Sequence, residues 1–201
     1  MTSFELATPL SQNDVGKLNI GDSVFLSGIL VTARDQAHKR ALQLDKEGKA
    51  LPLSLNGLAL YHCGPIIAER KGEKTVVAAG PTTSTRMDLY EDQFIQKFGI
   101  RMIIGKGGMG EKTVKACEKF GAVYCSFTGG AALIAKKGIK RVKGVEWQDL
   151  GMAEAMWIFE VEKFGPVIVT IDSKGNSLHD RVNSEVRSNA QHLYEKIGLK
   201  P

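Results

Sequence analysis

The sequence predicts an α/β fold, a mixed but mainly parallel sheet with helices packed against it. Stretches of strand length and composition alternate with helical patterns through the middle of the chain, the order that a parallel sheet with crossover helices requires. The early strands are separated by helices less regularly, which points to a second sheet layer rather than a plain doubly wound fold. At 201 residues and 43% hydrophobic content, the chain can also bury a sizeable core in one domain.

The elements follow in order. Residues 1–21 read as a short extended segment that runs into a turn at Asn19-Ile20-Gly21-Asp22. Ser23–Val31, rich in β-branched and aliphatic residues, reads as a strand. From Arg34 to about Lys46 the pattern becomes helical, with Ala37, Ala41, Leu42 and Leu44 recurring near a 3.6 period. Leu58–His62 and Lys74–Ala79 read as two further strands, with a turn at Arg70-Lys71-Gly72-Glu73 before the second. Gly80-Pro81-Thr82-Thr83-Ser84-Thr85-Arg86 carries the proline and small hydroxyl residues that a helix start prefers, and Met87, Tyr90, Phe94 and Phe98 supply the apolar stripe after it. Ile100–Ile104 is a short strand that opens into Gly105-Lys106-Gly107-Gly108-Met109-Gly110. A helix from about Glu111 to Phe120, a strand at Ala122–Phe127 and a short helix after Gly129-Gly130 come next. Val161–Asp172 is strand-like around Gly165-Pro166, and Leu178–Ile197 reads as a terminal helix.

Composition excludes several classes of function. Lys and Arg total 27 against 22 Asp and Glu, a formal net charge of +5. The acids are interspersed with the bases, and the one compact basic cluster is Lys136, Lys137, Lys140, Arg141 and Lys143. Nucleic-acid binding calls for a concentrated stripe with stacking aromatics, and only 7% of residues are aromatic. The lysine cluster therefore reads as a solvated face or a subunit contact, with no nucleic-acid partner. No apolar run of about 20 residues is available for a membrane span. The opening residues lack a basic segment followed by an apolar one, so no secretion signal is read. Cys63, Cys117 and Cys125 are a sparse set without a Cys-x-x-Cys pair, which points to reduced thiols and a cytoplasmic protein. Three cysteines could hold three irons of a four-iron cluster. Their places in helix-like and strand-like runs favour small buried apolar residues instead.

Three features share one logic. Arg34 with His38, Thr82 to Arg86, and Lys106 each lie just past the carboxyl end of an expected strand, where a loop opens into a helix, and each carries a cation. Ligands of α/β sheets gather at the carboxyl ends of strands, and helix starts attract anions. Each piece alone has a plainer reading. A surface arginine is ordinarily solvated, Thr82 to Thr85 would serve as a helix cap, and the glycine loop would serve as a tight turn. Together they describe a pocket for a small polyanion.

Gly105-x-Gly107-x-x-Gly110 also matches the dinucleotide fingerprint, but no Asp or Glu stands between Glu118 and Glu146 to hold a ribose. A phosphate-binding P-loop fails as well, because Glu111 interrupts the Gly-Lys-Thr order. No metal-ligand spacing, Ser-His-Asp set or carboxylate pair is traceable. His62 beside Cys63 reads as core or near-core, and His179 and His192 as surface. A pocket that can hold a dicarboxylate with little to transform it implies a second chain.

Gly28-Ile29-Leu30-Val31-Thr32-Ala33-Arg34-Asp35-Gln36-Ala37-His38, His62-Cys63-Gly64-Pro65, Gly80 through Met87, and Ile104 through Gly110 appear in that order. Together with Leu150-Gly151-Met152, Trp157 and Phe164-Gly165-Pro166, they resemble the β subunit, or carboxyl-terminal domain, of class I iron–sulfur fumarases and L-tartrate dehydratases. The resemblance spans nearly the whole chain and implies a single domain over 1–201, with 175–201 as a terminal helical segment. The fold it implies is a swivelling three-layer β/β/α domain closing over a 4Fe-4S cluster that a partner α subunit holds and this chain does not. The open iron of that cluster would act as a Lewis acid on the substrate hydroxyl. Arg34, Thr82, Thr83, Arg86 and Lys106 match residues that surround the substrate in the family. Thr82 matches the proposed base, while His38 would relay its proton or be the base itself. The implied activity is hydration of fumarate to malate by an α/β pair, doubled into an α2β2 heterotetramer or joined through a β–β contact. L-Tartrate dehydration and a non-catalytic dicarboxylate-binding module are the alternatives.

Overall fold

The computed structural model describes residues 1–130 and 132–196. In chain order its elements are β1 (Ser3–Ala7), α1 (Gln12–Gly16), β2 (Ser23–Thr32), α2 (Asp35–Lys46), β3 (Ala59–Tyr61), β4 (Ile66–Arg70) and β5 (Glu73–Ala78). A 3₁₀ turn at Ser84–Leu89 precedes α3 (Glu91–Phe98), β6 (Met102–Gly105), α4 (Glu111–Phe120) and β7 (Val123–Ser126). The chain continues through α5 (Ala132–Gly138), β8 (Ile139–Glu146), a 3₁₀ turn at Gln148–Leu150, β9 (Met156–Ile171) and α6 (Leu178–Lys196).

Seven strands form one mixed sheet in the order β1-β2-β3-β6-β7-β9-β8. The pairs from β1 through β7 are parallel, whereas β9 runs antiparallel to β7, to β8 and also to β2. The β2–β9 pairing curls the sheet back on itself into a barrel-like shape. β4 and β5 form a separate two-stranded hairpin.

Alternation along the strands sorts the core into two faces, as the two-residue period of a strand requires. Leu30, Ala59, Tyr61, Met102, Ile104, Val123 and Cys125 point into the barrel, where Phe127, Phe159 and Phe164 fill it. Val31, Leu60, Ile103 and Tyr124 point outward and meet Ala37 and Ala41 of α2, Phe94 and Ile95 of α3, and Ala116 of α4. Helices α3 and α4 each end at a left-handed glycine, Gly99 and Gly121. Only glycine takes that conformation without strain from a Cβ.

Three departures from the sequence reading have clear causes. Lys74–Ala79 does form a strand, but it pairs with the unanticipated β4 through a turn that has positive φ at Lys71 and Gly72, outside the main sheet. β8 was hidden by its charge. Its lysines belong to a solvated edge strand, where Lys140 meets Glu162 at 2.8 Å and Arg141 meets Glu160 at 2.5 Å on β9. Charged side chains on an edge discourage pairing with other chains. The last strand begins at Met156 rather than Val161, and its whole length serves three partners. The terminal helix is described to Lys196. Residues 197–201 and the side chain of His192 lie outside the described residues.

Phe164 has no exposed surface, stacks with Phe127 at 5.4 Å and meets Tyr61 edge-to-face at 5.3 Å. Phe164→Ala is expected to cost about 3–5 kcal/mol of folding stability, read as a lower urea midpoint with the slope unchanged. A loss below about 1 kcal/mol would mean that the barrel interior can collapse around the gap.

Candidate active site

Strands β2, β3 and β6 are neighbours, so the residues at their carboxyl ends are neighbours too. Ladder hydrogen bonds continue past the strands, from Ala33 N–H to Tyr61 O (3.1 Å) and from His62 N–H to Ile104 O (2.8 Å). The segment after β5 then lies between the ends of β3 and β6. Thr82 N–H donates to His62 O (2.8 Å), Lys106 N–H to Thr82 O (3.2 Å) and Ser84 N–H to Lys106 O (3.0 Å). Main-chain bonds thus fix Thr82, Thr83 and Lys106 side by side.

The arginines join the same rim. Arg86 Nη2 reaches Asp35 Oδ2 at 3.0 Å and donates to Thr82 Oγ1 at 3.2 Å. Arg34, one residue before Asp35, pairs through Nε with Glu154 at 3.3 Å. Gly64 makes room for it, since a Cβ there would stand 2.6 Å from Arg34 Nη1. Arg34 and Thr82 are half-buried, whereas Thr83, Arg86 and Lys106 are exposed. Among the described residues Lys106 has no salt-bridge partner. The three anticipated corners therefore meet at one end of the sheet. The hydroxyls do not act as a helix cap, because Thr83 makes no side-chain capping bond to the 3₁₀ turn.

The glycine loop is dense for reasons of space. A Cβ on Gly105 would collide with Ser84 Oγ, one on Gly110 with the Asp88 carboxylate, and one on Gly108 would stand 3.0 Å from the exposed His179 ring. Only Gly107 is required for its backbone, with φ +80 and open space around it. Asp88 Oδ1 accepts from Gly110 N–H at 2.9 Å and from Thr113 Oγ1 at 2.7 Å. A carboxylate of this chain thus occupies the start of α4, where a dinucleotide phosphate would have to sit.

Behind the rim lies a cluster that the sequence reading missed. His38, His62, Ser84 and Glu91 all have no exposed surface. His38 Nδ1 donates to Arg34 O at 2.8 Å, and its Nε2 lies 3.3 Å from Glu91 Oε2. His62 Nε2 donates to the same carboxylate oxygen at 2.9 Å, while its Nδ1 meets Ser84 Oγ at 2.9 Å. Ser84 Oγ in turn accepts from Lys106 N–H at 3.2 Å. His62 was anticipated as near-core, but its partner Glu91 was not. The available signal was position. Glu91 follows Met87 by four and precedes Phe94 by three, on the apolar stripe itself.

Burial pushes the Glu91 carboxyl upward, but the His62 and His38 contacts outweigh it and hold it down at about 2. Burial pushes His62 below the ordinary histidine range, against the pull of Glu91. His62 is accordingly neutral and donates through Nε2, with Ser84 donating to its Nδ1. His38 Nε2 faces the same carboxylate without a hydrogen bond, and neither it nor Glu91 Oε1 has a hydrogen-bond partner among the described residues. No hydrogen bond joins His38 to Thr82 among the described residues. The three inward atoms of His38, His62 and Glu91 lie within 4.8 Å, a set that could ligate a metal. Here the imidazoles engage the carboxylate directly, and the cluster is closed to solvent.

Cys63, Cys117 and Cys125 are buried free thiols on separate elements. Burial pushes the Cys63 thiol up to about 12, with the Arg34 charge opposing it in part, and raises the other two as well. Buried, protonated and dispersed thiols do not fit the donor set of an iron–sulfur cluster. No helix among the described residues is long and apolar enough to cross a membrane.

A family model described as the fumarase C-terminus matches residues 1–182. The chain is 40% identical over 173 residues to the L(+)-tartrate dehydratase subunit beta of Escherichia coli K12, covering 86% of this chain and 85% of that protein. It is 44% identical over 191 residues to a putative L(+)-tartrate dehydratase subunit beta of Methanocaldococcus jannaschii, covering 94% and 96%. A putative class I fumarate hydratase of Geobacillus stearothermophilus is 42% identical over 193 residues, which is 96% of this chain and 36% of that longer protein.

Folding lowers the proton affinity of both His62 and Glu91, so the unfolded chain binds more protons as pH falls. Stability is expected to be greatest above about pH 6.5, to fall below it through His62, and to fall further below about pH 4.3 through Glu91. Thermal melts between about pH 8 and pH 5 should show the first loss, and His62→Gln should remove most of that slope. An unchanged slope in the variant would exclude His62 as its source.

Proposed function

The chain belongs to the fumarase C-terminus family, and from that premise we propose that it is the β subunit of a hydro-lyase acting on a small dicarboxylate. The leading substrate pair is fumarate and malate. The observation that carries the reading is the segment at Pro81–Ser84, bonded between the ends of β3 and β6, which gathers Thr82, Thr83 and Lys106 beside Arg34 and Arg86. L-Tartrate is the second reading, favoured by the names of two of the relatives.

In this proposal Arg34, Arg86 and Lys106 hold the substrate carboxylates, with Thr83 alongside. Removing a proton from the carbon next to a carboxylate loads a second negative charge onto that carboxylate. Cations already fixed around it stabilise the charge without reorganising. Thr82 supplies the hydroxyl nearest the reacting carbon, and the Arg86 contact to its Oγ1 favours the oxyanion that a base would require. We place Thr82 rather than His38 against the substrate, because His38 is sealed behind the rim with no exposed surface and its Nδ1 tied to the Arg34 carbonyl.

A partner α subunit would bring the 4Fe-4S cluster and the remaining chemistry. Leu89, on the turn that carries Arg86, is 71% exposed, and Leu133 and Ile134 at the start of α5 are 67% and 53% exposed. Apolar side chains at an open rim suit a surface that another chain covers. We further propose one domain over 1–201 of the swivelling three-layer β/β/α type, working in the cytoplasm within an α2β2 assembly.

Arg86→Ala in the co-expressed pair is expected to lower malate dehydration under anaerobic conditions by at least about 10²-fold while α/β assembly persists. Near-normal turnover would remove Arg86 from its role. Side-by-side rates on malate and tartrate separate the two substrates. Dicarboxylate binding by the chain alone, with no activity gained from any α partner, would favour a binding module instead.

A further inference from the structure

The buried cluster behind the rim has a definite course. It starts at the backbone carbonyl of Arg34, which bonds His38 Nδ1, crosses a 3.3 Å contact from His38 Nε2 to the Glu91 carboxylate that is not a hydrogen bond, and continues by hydrogen bonds through His62 and the Ser84 hydroxyl. It ends at the backbone N–H of Lys106. Both ends are main-chain groups of residues assigned above to the substrate carboxylates. Ser84, near one end, also opens the 3₁₀ turn that carries Arg86. We propose that His38, Glu91, His62 and Ser84 are positioning residues that set the spacing of the Arg34 and Lys106 loops, and so determine how tightly the site grips a dicarboxylate. The inference rests on the function proposed above.

Three observations favour this role over plain packing. A fully buried carboxylate is costly to keep, and an apolar group of equal volume is often as good for stability. Apolar filling is close at hand, with the Phe94 ring centre 4.5 Å from that of His38. The directional bonds that run from Glu91 through His62 and Ser84 to Lys106 specify geometry, which apolar packing does only loosely. The bonds also land on the loops in question. The Arg34 carbonyl accepts from both the backbone N–H (3.0 Å) and the Nδ1 of His38. The Lys106 N–H is shared between Thr82 O and Ser84 Oγ, each at 3.2 Å. The crowding at Gly105 makes the Ser84 contact intimate, since nothing larger than hydrogen fits between them.

The test uses the co-purified α/β complex and malate. Ser84→Ala cuts the Lys106 end and is expected to raise KM about three- to tenfold, the worth of one hydrogen bond, with kcat changed less than about twofold. Glu91→Gln, close in shape, is expected to shift KM in the same direction. In a Lys106→Ala background, Ser84→Ala should leave KM unchanged, because the group it positions is gone. Unchanged KM in both single variants, or an undiminished Ser84→Ala factor in the Lys106→Ala background, would overturn the proposal. So would loss of α binding or of thermal stability in place of the KM shift. A wild-type complex inactive on malate and on tartrate would instead refute the proposed function, so the two failures are distinct.

Discussion

Two main-chain hydrogen bonds, from Thr82 N–H to His62 O and from Lys106 N–H to Thr82 O, fix the centre of the proposed site. They convert a loop into a short extension of the sheet, so Thr82 and Thr83 inherit the stiffness of β3 and β6. Side chains on such a frame would lose little further freedom on binding the proposed anion, and binding would cost correspondingly less. The glycines of the following loop serve the same end. At Gly105 and Gly110 the absence of a Cβ lets Ser84 and Asp88 approach the backbone and tie it down.

How much of this was legible depended on whether a feature had a local signature. The parallel strands and their crossover helices carry periodic apolar patterns, and β2, β3, β6, β7, α2, α3 and α4 stand close to where those patterns put them. Arg34, Thr82, Thr83, Arg86 and Lys106 were legible as candidates because each follows a strand end, and the structure brings them together. Elements defined by a distant partner were not legible. β8 reads as a run of lysines until β9 supplies its acids. The barrel-like closure depends on a pairing between β2 and β9 for which neither strand carries a mark. The cluster of His38, His62, Ser84 and Glu91 comes from four separate segments, and only the fold makes it one object.

Charge is distributed in this chain in two ways. At the rim, Arg34 and Arg86 sit against Glu154 and Asp35 in partly exposed pairs, where water screens the attraction and a competing carboxylate can share it. Behind the rim, Glu91 and its two imidazoles have no exposed surface. The exposed pairs can exchange partners and the enclosed ones cannot. Such a division suits a site whose ligand comes and goes while its framework must not.

The pairing of β2 with β9 also bears on how the polypeptide reaches its native form. It joins Ser23 to Ile168, close to opposite ends of the described chain. Until β9 has been synthesised, β2 and β7 lack a neighbour each, and the apolar interior that Phe159 and Phe164 fill stays open. Long-range closure of this kind slows folding and leaves unpaired backbone exposed to other molecules in the meantime. A nascent chain therefore gains little protection from its early strands, and most of the cooperativity arrives with one late segment on the ribosome.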